Sequence, residues 1–230
     1  EKDYEYIFND CKPKICIVSN EIQLKKIEKF ILDETKILSI EKINESVENI
    51  ENIFNEYLKK KRSDNDIIFN QNLERKDLAC IIYTSGTTGN PKGVLYSHKS
   101  TLLHAWAGSS ANGLGFTRSD SILMVVPMFH VMGWGLPYIG AMNGIKLVLP
   151  GMGMDGAALV ELIQKEQVTL AFGVPTIWLG LLNYCTEQKI TLDSVKQTVI
   201  GGSAVPYSMI KQFDEEHDVN VVQGWGMTET

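Results

Sequence analysis

The sequence predicts an α/β fold in which a layered, mostly parallel β-sheet is flanked by helices. From Leu78 onward, short β-rich runs alternate with helical patterns, and this alternation is typical of parallel strands covered by helices. The chain has 230 residues, of which 44% are hydrophobic and 22% charged, so it is long enough to bury a core. In such folds, sites lie at the carboxyl ends of the strands.

The region before Leu78 differs in composition from the rest. It is rich in Asn, Ile, Lys and Glu, whereas the remainder is richer in Gly, Ala, Val and Thr, and we place a subregion boundary at residue 76. We predict a short buried strand over residues 15–18 and amphipathic helices over 21–33 and 46–60. The charged and amide residues of 60–77 predict an exposed connector.

The second region yields the elements of the main sheet. Strands are predicted over residues 78–83, 121–126, 145–149, 168–172, 198–200 and 219–222. Helices are predicted over residues 101–111, 135–142, 156–165, 175–184 and 206–216. Pro175 and Pro206 fit the first turn of their helices, where a missing amide hydrogen costs little.

Composition and charge exclude several classes of protein. The formal net charge of -6 gives no basic footprint for nucleic acid, although backbone amides alone can still bind a nucleotide phosphate. Residues 122–145 carry no formal charge, but Pro127, Pro137 and several glycines divide them, which argues against a membrane span. The four cysteines lack the paired spacing of zinc or redox sites, and we interpret them as free thiols in a reducing compartment.

The most informative segment follows the strand at 78–83 and reads YTSGTTGNPKG from Tyr83 to Gly93. Glycines let backbone amides approach phosphate oxygens, hydroxyls add donors, and Lys92 supplies a point charge. The segment is therefore interpreted as a phosphate-binding loop, and its spacing is not that of a Walker A loop. The competing interpretation is a polar, glycine-rich hairpin between a strand that ends at Thr84 and a strand over residues 93–97.

Two more segments carry candidate chemistry. The chain ends on QGWGMTET, from Gln223 to Thr230, where a carboxylate beside a hydroxyl at a strand end is a reasonable oxygen site for Mg²⁺. Small residues in Gly201-Gly202-Ser203-Ala204 permit close backbone approach between a strand and a helix. Each segment alone is also compatible with an ordinary turn.

Taken together, the three segments resemble the signature motifs of the adenylate-forming (AMP-binding) superfamily in order and approximate separation. The resemblance covers residues 7–230, strongly from Leu78 and weakly before it. Residues 126–151, including PMFHVMGW, are similar to bacterial long- and medium-chain fatty acyl-CoA ligases. The family usually has tyrosine where this chain has Trp225, which preserves stacking but loses the phenol hydroxyl.

The resemblance implies the roles of the site residues. It implies catalytic roles for His130, Lys92, Thr228 and Glu229. It also implies that Thr84 and Glu229 hold Mg²⁺. The acyl group would contact His130, Val131, Trp134 and Gly202, with the tryptophan gating the fatty-acid tunnel. The nucleotide would contact Thr84, Ser85, Gly86, Thr87, Thr88, Gly89, Lys92, Gly202, Ser203, Gln223, Gly224, Trp225 and Thr228. His98, His104 and His217 are interpreted as surface or packing residues.

The resemblance also implies the reaction. A fatty acid would be converted by ATP to an acyl adenylate and then by coenzyme A to the thioester, with ATP, Mg²⁺ and coenzyme A required. Residues 1–76 and 77–230 would both belong to one large N-terminal domain, without the C-terminal domain that carries the adenylation lysine, and we expect such a fragment alone to be inactive or nearly so. A cytoplasmic location is the default; peripheral membrane association and a homodimer stay open.

Two alternatives remain at this stage. The enzyme could activate a different carboxylic acid, such as an aryl, acetyl or amino acid, because pocket size cannot be deduced from the residues between Phe129 and Trp134. The protein could also be a nonenzymatic nucleotide-binding relative, against which the intact Lys92, Thr228 and Glu229 argue. No integral membrane segment and no nucleic-acid partner are expected.

Overall fold

The computed structural model describes residues 2–59, 72–85 and 89–230. The chain divides into two compact units. The first unit comprises residues 1–73 together with 83–92, and the second comprises residues 74–82 together with 93–230.

The first unit is built around a small parallel sheet. Helix α1 (Lys2–Cys11) precedes strands β1 (Ile15–Val18), β2 (Lys36–Ser39) and β3 (Glu48–Asn49), which pair in that order. Helix α2 (Glu21–Ile27) begins where the Asn20 side chain accepts a hydrogen bond from the Gln23 amide at 3.1 Å. A 3-10 turn (Glu28–Phe30) and helix α3 (Ile50–Lys59) complete the unit. Its core consists of Phe8, Val18, Leu24 and Ile27.

Strand β1 has the predicted bounds, but the prediction that it is buried was wrong. Ile15 and Ile17 are 55% and 53% exposed, whereas Val18 is buried. The physical reason is that successive side chains of a strand point to opposite faces, and β1 is an edge strand with one face covered by the core of the unit.

The predicted helices of the first unit are both shorter in the structure. The helix predicted to reach residue 33 ends at Ile27 and tightens into the 3-10 turn. The helix predicted from residue 46 begins at Ile50. The reason is a turn that leads into β3, in which the Asn44 side chain accepts hydrogen bonds from the amides of Ser46 and Val47. Helix α1 and strand β2 had no counterpart in the sequence prediction. Residues 60–71 of the predicted connector lie outside the described residues.

The second unit contains the main sheet. Strands β4 (Leu78–Thr84) and β5 (Lys92–Ser97) form a separate two-stranded sheet, of which residues 78–82 and 93–97 belong to this unit. Among the described residues, the main sheet is five-stranded and ordered β10-β9-β8-β6-β7, and its neighbouring strands pair in parallel. Its strands are β6 (Ser121–Met124), β7 (Lys146–Val148), β8 (Leu170–Gly173), β9 (Gln197–Ile200) and β10 (Asn220–Gln223). The predicted α/β class and the mostly parallel sheet are confirmed.

Helices cover both faces of the main sheet. They are α4 (His98–Ser109), α6 (Leu136–Asn143), α7 (Gly156–Glu166), α8 (Pro175–Gln188) and α9 (Tyr207–His217). The short element α5 (Val131–Trp134), which precedes α6, is a left-handed turn and not a regular helix. Along β6, Leu123 joins the core formed with α7, α8 and α9, while its neighbours Ile122 and Met124 join the core formed with α4 and α6. This alternation is the period of two expected of a strand.

The predicted helix starts at proline were half correct. Pro175 is the first residue of α8, as predicted. Pro206 instead lies just before α9 as the N-cap residue, with extended backbone angles (φ -60°, ψ 136°). Residues 122–145 fold as strand, turn and helix, and no described helix is long and apolar enough to cross a membrane.

Candidate functional site

The predicted phosphate loop connects β4 to β5. Thr84 is half-buried at the end of β4, and Ser85 and Lys92 are exposed. Gly89 has φ 110° and nothing within 4 Å of the position its Cβ would take. Gly86, Thr87 and Thr88 lie outside the described residues. The two strands do form a hairpin, so the hairpin and phosphate-loop interpretations are compatible.

The residue before the loop is anchored within the first unit. The Tyr83 hydroxyl donates a hydrogen bond to the Asp10 carboxylate of α1. Burial, and then interactions with Asp10 and Cys11, raise the pKa of Tyr83 above its ordinary value. A neutral phenol therefore remains a donor to Asp10 at neutral pH, which fixes the carboxyl end of β4 where the loop begins.

A cavity of about 420 Å³ opens in the second unit at the carboxyl ends of the parallel strands. Its walls are largely apolar and include Leu136, Ile139, Phe172 and Val199. The structure brings six of the predicted site residues to this cavity: His130, Val131, Trp134, Gly202, Gly224 and Trp225. They come from the segments that follow β6, β9 and β10, which is where the parallel sheet predicts a site.

A left-handed turn presents Trp134 to the cavity. After His130, successive residues have positive φ: Val131 43°, Met132 43°, Gly133 58°, Trp134 55° and Gly135 74°. For residues other than glycine this conformation costs about 1–2 kcal/mol each, so surrounding contacts must hold it. The Tyr138 hydroxyl donates to Met132 Sδ at 3.7 Å, and His104 Nε2 lies 3.4 Å from the Trp134 carbonyl oxygen.

Close packing at the end of β9 explains one glycine of the motif at 201–204. A Cβ on Gly201 would lie 2.9 Å from Cη2 of the Trp134 indole and 3.0 Å from the Gly224 carbonyl oxygen. Gly201 and Gly224 also extend the ladder, since their amides donate to Gly173 O at 3.2 Å and to Ile200 O at 2.8 Å. The backbone at Gly201 therefore lies directly against the indole ring, with the Gly224 carbonyl beside it.

The terminal motif forms a compact turn beside the cavity. Trp225 is 81% exposed, so much of its ring is accessible. The amide of Thr230 donates to Met227 O at 3.2 Å, and the amide of Met227 donates to Thr230 Oγ1 at 3.1 Å. Thr228 is half-buried and Glu229 exposed. Unlike the six residues above, Ser203, Gln223, Thr228 and Glu229 do not line the cavity.

Sequence reasoning missed several residues of the cavity. His104, interpreted as a surface or packing residue, is exposed on α4 and also lines the cavity, where its ring packs over Gly135 and Trp134 O. Met227 and Thr230 line it as well. No local pattern could have found His104, because its contact with Trp134 joins residues 30 positions apart on separate elements.

Comparison with known families identifies the chain. A family model described as AMP-binding enzyme matches residues 1–230. The chain belongs to this family.

Curated relatives of this AMP-binding chain match about two thirds of it. It is 51% identical over 157 residues to the 3-methylmercaptopropionyl-CoA ligase of Ruegeria pomeroyi, covering 68% of this chain and 29% of the relative. It is 50% identical over 157 residues to the medium-chain-fatty-acid–CoA ligase of Ectopseudomonas oleovorans, covering 68% and 29%. The chain thus spans less than a third of the length of these relatives.

Solved structures agree on the fold of this AMP-binding chain. The luciferase-like enzyme from the nonluminescent mealworm Zophobas morio superposes with a TM-score of 0.80 at 22% identity, covering 98% of this chain and 51% of the other. At this level of identity the likeness shows the shared fold. It extends over the first unit, which the sequence resemblance covers only weakly.

Proposed function

We propose that this chain is the nucleotide- and acyl-binding part of an AMP-forming acid–thiol ligase that activates a fatty acid. The observation that carries the proposal is the apolar cavity at the strand ends, where His130, Trp134, Gly202 and Trp225 meet. The acid carboxylate would attack the α-phosphorus of ATP and break its bond to pyrophosphate. The thiol of coenzyme A would then attack the acyl carbonyl carbon and release AMP.

The chain's residues would bind and orient the substrates, which is where most of the rate enhancement of such a reaction originates. The exposed ring of Trp225 would stack on adenine, between the backbone of Gly224 and the small residues Gly202 and Ser203. Gln223 is exposed beside them and would contribute a hydrogen bond. Lys92, Thr84 and Ser85 would stabilise the leaving pyrophosphate, together with the glycines and threonines of residues 86–89.

The exposed carboxylate of Glu229 suits Mg²⁺, with Thr84 in a supporting role. Mg²⁺ is commonly held by one or two carboxylates plus substrate phosphates rather than by a cage of protein ligands. In residues 2–59, 72–85 and 89–230 there is no cluster of three or more His, Cys, Asp or Glu side chains that could hold a metal. When bound, Mg²⁺ would neutralise charge that accumulates on the phosphate oxygens.

The acyl group would occupy the cavity between Val131, Trp134 and the apolar wall, with its carboxylate near His130. A volume of about 420 Å³ with mostly apolar walls fits an aliphatic chain. The names of the relatives, a medium-chain fatty acid ligase and a methylmercaptopropionate ligase, support an unbranched aliphatic acid as the substrate class.

The organisation of the full-length protein is also part of the proposal. Residues 1–76 and 77–230 would form parts of one AMP-binding domain that acts on small molecules, namely a carboxylic acid, ATP and coenzyme A. A cytoplasmic location, peripheral membrane contact and a homodimer are further expectations, which fractionation and size-exclusion chromatography test.

The decisive experiment is acid-dependent exchange between ATP and pyrophosphate in the full-length protein. Acetate, octanoate, palmitate, benzoate and an amino-acid mixture would be compared, with Glu229→Ala as the test variant and Glu161→Ala on the exposed surface of α7 as its matched control. Exchange that is greatest with octanoate or palmitate, retained in Glu161→Ala and lost in Glu229→Ala supports the proposal. Greatest exchange with another acid discards the fatty acid, and no exchange with any acid favours a nonenzymatic nucleotide-binding relative.

A further inference from the structure

A hydrogen bond within the second unit joins residues 132 positions apart in the sequence. Tyr96, half-buried on β5, donates its phenol hydrogen to the backbone carbonyl oxygen of Thr228. Tyr96 lies outside the sequence motifs that carry the candidate site residues. Its partner is the residue expected to contact the nucleotide phosphate, and the next residue is the expected metal ligand, Glu229.

The remaining hydrogen bonds that the described structure shows for this turn are local. The main chain and hydroxyl of Thr230 bond to the main chain of Met227 at 3.1–3.2 Å, which closes the turn on itself. Such bonds fix the shape of residues 227–230 but leave open where the turn lies relative to the sheet. The bond from Tyr96 is a long-range one and supplies that position.

Electrostatics places the Glu229 carboxylate in the same neighbourhood. The pKa of Tyr96 is raised by burial first, and then by the negative charges that Cys80 and Glu229 carry when ionised. Glu229 is therefore close enough for its charge to act on the phenol. The hydrogen bond itself places Tyr96 against Thr228, the neighbour of Glu229 in the chain, so Tyr96 contacts the part of the terminal motif expected to bind phosphate and metal.

We propose that Tyr96 is a positioning residue that holds the Thr228–Glu229 turn in place for a magnesium–nucleotide complex. The inference rests on the proposed function, because it takes Thr228 and Glu229 as ligands of that complex. Tyr96 acts through the Thr228 carbonyl and touches neither metal nor phosphate itself. Its loss weakens binding without abolishing it, because Glu229 and Thr228 remain present.

The test variant is Tyr96→Phe, which keeps the ring and removes the hydroxyl. Tyr207→Phe is the matched control, since Tyr207 is 78% exposed on α9. Three quantities are measured for the full chain of each protein. They are the dissociation constant of Mg·ATP, the Mg²⁺ concentration that gives half-maximal ATP binding, and the dissociation constant of ATP in the presence of EDTA. We expect Tyr96→Phe to weaken Mg·ATP binding about three- to tenfold and to raise the Mg²⁺ requirement. Binding in EDTA stays as in the wild type.

A second measurement separates positioning from general destabilisation. We expect hydrogen–deuterium exchange of the peptide covering residues 224–230 to be faster in Tyr96→Phe and unchanged in Tyr207→Phe. Peptides from the buried part of α8 should stay protected from exchange in both variants. If the wild type binds Mg·ATP and Tyr96→Phe shows the same Mg²⁺ dependence, the inference alone is overturned, whatever the exchange result. If the wild type binds no Mg·ATP, the proposed function fails, and the inference fails with it.

Discussion

The indole ring of Trp134 packs directly against the α-carbon of Gly201, so closely that a methyl group at residue 201 would lie 2.9 Å from indole Cη2. Gly201 ends the continuation of β9, whereas Trp134 belongs to the left-handed turn after β6. The contact therefore links two strand ends of the parallel sheet and forms one side of the apolar cavity. It makes the position of the ring depend on a residue with no side chain.

The substitution Gly201→Ala should displace the indole ring. Because the Gly224 carbonyl lies on another side at 3.0 Å, the new methyl group has no room, and overpacking of this kind costs about 1–3 kcal/mol. We expect a lower free energy of unfolding in urea and a changed environment of Trp134 by fluorescence, assigned with Trp134→Phe.

The matched control is Gly180→Ala on α8, where nothing lies within 4 Å of the position that the new methyl group would take. There the same change should stabilise the protein by about 0.5–1 kcal/mol, because glycine disfavours a helix interior. Equal effects of the two substitutions would show that Trp134 does not depend on Gly201.

The left-handed turn predicts an unusual response to glycine. Val131 is β-branched and has φ 43°, so Val131→Gly should relieve about 1–2 kcal/mol of backbone strain. The same substitution removes side-chain packing, and it makes the unfolded chain more flexible, which raises the entropy cost of folding. Because these effects oppose one another, we expect the free energy of unfolding to change by less than about 1 kcal/mol.

Val160 provides the comparison, because it is buried at 5% exposure inside helix α7. Val160→Gly should cost about 3 kcal/mol, since it removes buried methyl groups and places glycine in a helix. Chemical denaturation of both variants measures the two values. A loss at Val131 as large as that at Val160 would mean that the turn stores no strain.

Much of the second unit could be predicted because its signals are local. Strand β6 and helix α8 are marked by apolar runs and by Pro175 at a helix start, and Gly201 and Trp225 lie in recognisable motifs. His104 could not be found in this way, because it reaches the cavity through a contact with Trp134 that only tertiary packing creates. In the first unit, the Asn44 turn and the exposed face of β1 depend on neighbouring elements that periodicity does not reveal.

A polar network at the amino end of β6 supports the sheet on the side away from the cavity. Asp120 accepts hydrogen bonds from the Thr117 amide and hydroxyl at 2.8 Å and from the Thr169 hydroxyl at 2.9 Å. Burial alone raises the pKa of Asp120, but these hydrogen bonds and Lys196 outweigh it, so the net pKa lies below the ordinary 3.8. The charged carboxylate therefore stabilises the fold above that pH, and its contribution is lost as the pH falls below it.

Asp120→Asn should lower the free energy of unfolding at pH 7 by about 1–2 kcal/mol, because one oxygen becomes a donor that faces other donors. The difference from the wild type should shrink below about pH 4. Asp214→Asn on the exposed surface of α9 serves as the control and should change stability little. Denaturation at several pH values tests this, and a pH-independent difference would exclude the charge as its cause.

His217, the last residue of α9, should make the free energy of unfolding depend on pH at higher pH values than Asp120 does. It is 7% exposed, and neither ring nitrogen has a hydrogen-bond partner among the described residues. Burial lowers its pKa from the ordinary 6.5, and the nearby charges of Glu216 and Asp193 offset this only in part.

His217 therefore binds a proton less readily in the folded protein than in the unfolded chain. The stability contributed by its neutral form is fully present above pH 6.5 and is lost as the pH falls toward the lowered pKa. Stability should rise with pH in that window, with a slope no greater than about 1.4 kcal/mol per pH unit, the limit for one proton. His217→Leu should remove this slope, and at about pH 8 it should cost little, because two buried nitrogens without partners are replaced by an apolar group. His98→Gln at the exposed start of α4 should keep the slope. Urea denaturation from about pH 5 to pH 8 measures it, and an unchanged slope in His217→Leu would assign the acid sensitivity to other groups.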